Sequence, residues 1–429
     1  MTSASVESLD REGQGVARVD GKTVFIEGAL PYERVRYSTL RSKRAYEFAR
    51  LEAVERESAD RVTPRCPYFG ACGGCALQHV GAPAQVAAKQ RTLEDALWRI
   101  GRVRPGHLLP AIQGQAWGYR HRARFSARFV DRSGGALVGF RERHSTHVAD
   151  MLGCEVLPRE ASALLPPLRE LVGRLSIRER VPQIELAIGE EATVLVFRVL
   201  LPPGDADLAA LERFAETRGV QVWLQPGGPD SAAPFFPRAP APLFYSLPEF
   251  GVRLCFRPTD FTQVNPEVNR LLVRRAITLL DPGPGERIAD FFCGLGNFTL
   301  PIARLGAEVT GVDGNAQLLA RAGQNARENG LESRCRFEAA NLFEADDCAR
   351  LATFDKVLLD PPRDGAVELV KSFASGKPGR IVYVSCDPAT LARDAGVLVH
   401  ALGYDLLAAG VINMFPHTSH VESLALFER

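Results

Sequence analysis

Apolar and polar positions follow two different periods along this chain. Near the N-terminus they alternate in twos, in short runs between glycines: Gly15-Val-Ala-Arg-Val, Lys22-Thr-Val-Phe-Ile and Glu33-Arg-Val-Arg-Tyr. Strands this short, with turns this close together, predict a small all-β barrel over residues 1–58. From about residue 265, strand-like and helix-like runs alternate instead, the mark of a doubly wound sheet. Strands are expected at 287–292, 308–312, 334–337, 356–359 and 380–384, with helices at 298–304, 316–329, 367–375 and 389–402. A hairpin at 405–412 and 421–427 closes the chain. In between, residues 82–100 carry Val86, Leu93, Leu97 and Ile100 at helical spacing, and 160–224 mix helix and strand patterns. The proline-rich stretch 225–242 reads as a long loop. The expected architecture is multidomain α/β: a barrel over 1–58, a central α+β domain over 59–262 and a Rossmann-like domain over 263–429. Part of 80–124 is expected to pack on the last of these.

At 429 residues the chain is too long for a single core. With 46% hydrophobic and 24% charged residues, global disorder is excluded as a class. The start has neither a basic nor an apolar leader segment, and no run is long enough to span a bilayer, so the cytoplasm is the expected compartment. The net charge of +1 points to no partner, but its distribution does. Residues 98–147 hold ten arginines, no lysine and two acids, and residues 34–50 hold six Arg or Lys and one acid. Arginine in such density favours phosphate and base contacts. Around the second stretch, Tyr32, Tyr37, Tyr46 and Phe48 interleave with Arg34, Arg36, Arg41, Lys43 and Arg44, the mixture of stacking and charge used by single-strand binders. Arg120, Arg122, Arg124 and Arg128 fall on one face of a strand and Phe125 and Phe129 on the other.

Nine cysteines in a large chain of intracellular character argue for metal or catalytic use rather than a disulfide framework. Cys66-Pro-Tyr-Phe-Gly-Ala-Cys72-Gly-Gly-Cys75 packs three thiols into a glycine-rich loop. Glycines let backbone N–H groups approach inorganic sulfur, which favours an iron–sulfur cluster with Cys154 as fourth ligand. Zinc with His79 is the rival reading.

In the last domain the chemistry gathers at strand ends. Cys293-Gly294-Leu-Gly296-Asn297 is a tight glycine turn after one strand, and Asp313 ends the next, where an acid commonly binds ribose hydroxyls. Thr299 replaces the third glycine of a dinucleotide fingerprint, so a nucleoside cofactor without a pyrophosphate, S-adenosylmethionine, fits better. Asp360-Pro-Pro-Arg363 ends a third strand; it resembles the Asp-Pro-Pro-aromatic loop of base-nitrogen methylases, but Arg363 in place of the aromatic disfavours nitrogen methylation. Cys386 ends a fourth strand just ahead of a helix N-terminus, a setting expected to lower a thiol's pKa. A methyl donor beside a cysteine suits carbon 5 of a pyrimidine: a thiolate adding to carbon 6 makes carbon 5 nucleophilic, and a base such as Glu422 then removes its proton.

These motifs, with Gly139-Phe-Arg-Glu-Arg, Asp260-Phe-Thr-Gln263-Val-Asn265 and His417-Thr-Ser-His-Val-Glu422, resemble the RNA uracil-C5 methyltransferases over nearly the whole chain. The resemblance is closest to the iron–sulfur branch acting on 23S ribosomal RNA at uracil-1939; another ribosomal uridine, or a cytosine, is the alternative target. It implies a TRAM-like RNA-binding barrel, Cys386 as nucleophile and Glu422 as base. It implies S-adenosylmethionine held among Gln263, Phe292, Asn297, Asp313, Asn341 and Asp360, with Gln263 and Asp360 also near the uracil. It implies a four-iron four-sulfur cluster on Cys66, Cys72, Cys75 and Cys154, and a monomer without membrane contacts. Because the related transfer-RNA enzyme resembles only the central and C-terminal parts, the barrel and cluster cysteines point to ribosomal RNA. The competing readings are an RNA cytosine-C5 methyltransferase and a non-catalytic RNA-binding scaffold.

Overall fold

A computed structural model describes residues 2–130, 135–351 and 353–429. Arg132 of the basic stretch lies outside them. The N-terminal strands Thr2–Leu9, Gly15–Val19, Lys22–Glu27, Arg34–Ser42 and Tyr46–Arg56 close into a barrel. Their inward positions, Val6, Ala17, Val24, Ile26 and Val35 among them, fill its core, as period-two strands require. Tyr37 belongs to that core at 3% exposure and so corrects the expectation that it stacks on RNA. Tyr32 is exposed, and Phe25, Tyr46 and Phe48 form a ring cluster with centroids 5.6–6.2 Å apart.

The central sheet has six strands in the order Ala233–Phe236, Gln221–Gln225, Thr193–Arg198, Gln183–Ile188, Arg122–Val130 and Gly135–Gly139. Helices Leu165–Arg174 and Asp205–Arg218 cover it through Leu168, Leu171, Val172, Leu211 and Phe214. The expected long loop at 225–242 is therefore interrupted by a strand. Its proline, Pro234, has no N–H to donate, which an edge strand tolerates.

The C-terminal sheet has eight strands: Cys335–Ala339, Glu308–Asp313, Arg287–Phe291, Lys356–Leu359, Arg380–Ser385, Glu422–Glu428, Asp405–Ile412 and His107–Leu108. The first five run parallel, and Glu422–Glu428 enters antiparallel. Alternate residues of each central strand go to opposite cores. Ile288, Leu358 and Val382 pack with helix Pro266–Leu280; Phe291, Leu359 and Tyr383 pack with Leu93, Leu97 and Leu391. A parallel sheet so covered on both faces explains the unbroken apolar runs in its strands.

Helix Ala82–Ala96 thus belongs to this layer although it precedes the central sheet in sequence. The wider helical turn that continues it, Leu97–Gly101, meets helix Pro388–Gly396 backbone to backbone: a Cβ on Gly101 would stand 2.3 Å from the Ala392 carbonyl oxygen. Only glycine permits that approach. Among the described residues, no helix is long and apolar enough to cross a membrane.

Candidate active site

Cys386 follows directly on the buried strand Arg380–Ser385. The next residue, Asp387, caps helix Pro388–Gly396, its carboxylate accepting the N–H groups of Ala389 at 2.8 Å and Thr390 at 3.3 Å. Pro388 takes the first turn, where a missing N–H costs nothing. At the far end of the first turns, Asp394 is fully buried and accepts from Tyr383 Oη at 2.7 Å and from Ala366 N at 2.8 Å. Strand, cap and helix therefore leave the Cys386 thiol little freedom. Its sulfur lies 4.0 Å from the Pro361 carbonyl oxygen.

The antiparallel partner strand pairs Ser423 with Ser385, which brings Glu422 beside the Cys386 end of the sheet. Glu422 is 6% exposed, with His420 Nε2 3.6 Å from its Oε1. Asp360 comes from the neighbouring parallel strand. Burial, then the Glu422 and Asp290 carboxylates, push Asp360 up to about 8. Burial, then Glu422 and Asp360, push the Cys386 thiol up to about 11, against the weaker pull of Arg363. The helix N-terminus was expected to lower this pKa; here desolvation and two carboxylates outweigh it. Cys386 rests as a thiol.

A cavity of about 640 Å³ opens from these groups along the sheet edge. All eight residues singled out from the sequence for catalysis and methyl-donor binding line it: Gln263, Phe292, Asn297, Asp313, Asn341, Asp360, Cys386 and Glu422. Asp313 is fixed by two backbone donors, Gly294 N at 3.0 Å and Asn315 N at 2.8 Å. Gly296 has φ +90°, and a Cβ there would meet Leu300 at 2.5 Å, so the turn after Cys293 requires glycine. Phe292 and Phe343 touch with their rings tilted by 54° and centroids 5.7 Å apart, and together they give the cavity an aromatic wall. Asn297 exchanges both amide bonds with Asn269 at 3.0 Å and accepts from Tyr245 Oη at 2.9 Å. An acid poised for ribose, a close-approach turn and an aromatic wall suit an adenosyl group without a pyrophosphate.

Tyr245, Phe343 and Asp290 were not singled out from the sequence. Phe343 follows directly on Asn341-Leu342, so the strand end offered a signal; Tyr245 lies in a hairpin 52 residues from its partner Asn297, with none. Asp290 is fully buried, bonded at 2.5 Å to Thr299 Oγ1, and burial raises it to about 7.

The four cluster cysteines line a second cavity, of about 100 Å³, together with Tyr68, Phe69, Phe140 and Met151. All four are free thiols, and Gly74 N lies 3.4 Å from Cys72 Sγ, the glycine-to-sulfur approach expected of such a loop. Burial pushes Cys75 up to about 11 and Cys154 up to about 12, so only a bound metal would hold them as thiolates at neutral pH. Among the described residues, no three Cys, His, Asp or Glu converge as a single-ion site needs. His79 does not line this cavity; it packs on the Phe69 ring, its nitrogens unpartnered.

The basic strand is only half as expected. Arg124 and Arg128 are exposed, but Arg120 lines the cysteine cavity and Arg122 is partly buried, 3.5 Å from Thr262 Oγ1. The stretch before the strand turns Arg120 inward.

The pattern of the tRNA (Uracil-5-)-methyltransferase family matches residues 251–429, and the TRAM domain pattern matches residues 3–50. Over their full lengths, the chain is 62% identical to the 23S rRNA (uracil(1939)-C(5))-methyltransferase RlmD of Azoarcus sp. (strain BH72). It is 60% identical, also over both full lengths, to the protein of the same name from Aromatoleum aromaticum. The chain belongs to the RNA uracil-C5 methyltransferase family. Its fold is also that of a solved family structure, the Pyrococcus abyssi tRNA (uracil-54, C5)-methyltransferase in complex with S-adenosyl-L-homocysteine. The likeness covers 99% of this chain and 100% of that one, with a TM-score of 0.75 at 23% identity. A transfer-RNA methyltransferase thus shares the entire architecture. Of the two features expected to point to ribosomal RNA, the barrel and the cluster cysteines, the barrel therefore does not discriminate.

Proposed function

We propose that this methyltransferase acts on uracil 1939 of 23S ribosomal RNA, in the cytoplasm and as a monomer. The full-length identity of 62% to a relative bearing that name carries the target, since the fold alone does not discriminate. The barrel, the central sheet and the sheet of 263–429 are read as RNA-holding, cluster-bearing and catalytic domains. Exposed Tyr32, Arg124 and Arg128 supply stacking and charge for a folded RNA whose target base is turned out into the pocket.

Cys386 is the nucleophile in this reading. As the sulfur adds to carbon 6 of uracil, its proton passes by way of the ionised form of Asp360 to solvent, which leaves Glu422 free to accept the later proton. The electron pair of the carbon 5–carbon 6 double bond moves to carbon 5. Bound S-adenosylmethionine would supply an electrophilic methyl group, and Asp313, Asn341, Phe292 and Phe343 are the residues that would hold it. Gln263, Asn297 and Asp360 complete the pocket, with Gln263 and Asp360 toward the uracil. Carbon 5 takes the methyl group as the methyl–sulfonium bond breaks, its electron pair leaving with the sulfur as a neutral thioether; Glu422 then removes the carbon 5 proton, and the carbon 6–sulfur bond breaks to free 5-methyluracil and the Cys386 thiolate, which regains its proton. Cys66, Cys72, Cys75 and Cys154 would hold a four-iron four-sulfur cluster in a structural or RNA-contacting part rather than a redox one.

The test is mass spectrometry of ribosomal RNA from a strain lacking the protein. The methyl group at position 1939 should be missing, return with the wild-type gene and stay missing with Cys386→Ala. A fully methylated position in the deletion strain would refute the target.

A further inference from the structure

The segment joining the last two strands, residues 413–421, leads directly into Glu422. It is fastened chiefly from helix Ala82–Ala96, by Gln85 and Lys89. These are four residues apart, so they share a helix face, and each is 2% exposed. Gln85 Oε1 accepts the N–H of His417 at 2.8 Å. Its amide nitrogen lies 3.2 Å from His417 Nδ1 and donates to the carbonyls of Leu77 at 3.0 Å and Val80 at 2.8 Å. Lys89 Nζ donates to Asn413 Oδ1 and to the Phe415 carbonyl, both at 2.8 Å.

The cysteine loop reaches the same place. The N–H groups of Ala76 and Leu77, the two residues after Cys75, both donate to the His417 carbonyl at 2.9 Å. Trp117 stacks on the His417 ring at 3.8 Å, and Tyr119 Oη donates to the Pro416 carbonyl at 3.0 Å. His417 itself has φ +66°, a conformation that a residue with a side chain keeps only where its surroundings impose it. None of these contacts is needed to close the sheet. Together they fix where the last strand begins, which is where Glu422 stands.

We infer that Gln85 and Lys89 are positioning residues for removal of the carbon 5 proton, and that through Gln85 and His417 the cysteine loop holds Glu422 in place. This rests on the reading of Glu422 as the base. A buried amide that bonds two loops at once leaves unsatisfied groups in both if either moves, so the loops hold or shift together. The Lys89 ammonium also lies within electrostatic reach of the Glu422 carboxylate.

The test compares Gln85→Met, Lys89→Met and Glu422→Gln in the cluster-loaded protein. Release of tritium from carbon 5 of uridine reads proton removal. Adduct formation on 5-fluorouridine RNA, where no proton leaves carbon 5, reads the earlier steps. Both methionine variants should slow tritium release and kcat by about 10-fold to 100-fold, within the range of a general base, and accumulate methylated adduct. KM for RNA, S-adenosylmethionine affinity and the rate of fluorouridine adduct formation should stay within about twofold of wild type. Wild-type tritium release would overturn the inference, as would a parallel loss of adduct formation and cofactor binding, the mark of a merely structural role. Lys89→Met touches only 413–415 and carries the test alone should Gln85→Met not fold. Wild-type tritium release by Glu422→Gln would instead unseat Glu422 as the base.

Discussion

Cys386 shows what one residue reveals in sequence and what it hides. Its position at a strand end was legible, because an apolar run stopping before Asp387-Pro388 fixes both the strand and the helix that follows. Its pKa was not, since the groups that set it, Glu422 and Asp360, come from other strands. The same holds for Asp290, whose burial appears only once the sheet is covered on both faces. That burial gives a prediction. Asp290 has a folded pKa of about 7, raised from 3.8, so its neutral form favours the folded state. Its contribution is complete below the unfolded pKa and is lost as pH rises through the folded one. Asp290→Asn cannot titrate and should gain stability relative to wild type between pH ~5 and ~8, as read by urea unfolding at a series of pH values. A constant difference across that range would contradict the assignment.

At the scale of elements, the strand and helix order of the last domain was legible because short unbroken apolar runs and helical runs alternate along it. Helix Pro266–Leu280 was not among the expected helices, although Asn265 caps it and Val268, Leu272, Ala276, Ile277 and Leu280 are its buried positions. The edge strand at 233–236 was hidden by its proline. Packing of part of 80–124 on the last domain was among the expectations, but no local signal singled out Gln85, which meets His417 across 332 positions. The cap at Asp387 makes an element-scale prediction. Asp387→Ala should cost about 1 kcal/mol of stability and reduce kcat, since the capped turn orients Cys386, whereas Asp387→Asn keeps the cap and most of both. Equal behaviour of the two variants in unfolding and turnover would show that the cap does not position the thiol.

For the whole molecule, the barrel, the cysteine loop and the catalytic sheet interlock rather than follow one another. Arg143 of the loop-side stretch bonds Glu27 of the barrel at 2.7 Å, and Gly73 N bonds the Arg141 carbonyl at 2.9 Å. The cluster reading predicts that protein purified without oxygen is brown and carries iron and sulfide, and that removing the metal lowers its melting temperature. Zinc without iron would refute it. The account as a whole turns on one bond, between Cys386 and carbon 6 of the target uracil. Glu422→Gln should stall after methyl transfer, with that bond intact. Nuclease and protease digestion of the stalled complex with 23S ribosomal RNA, followed by mass spectrometry, should yield the peptide containing Cys386 with a methylated uridine nucleotide attached to its sulfur. Methylated free RNA with no adduct on that peptide, or an adduct on another cysteine, would contradict the account.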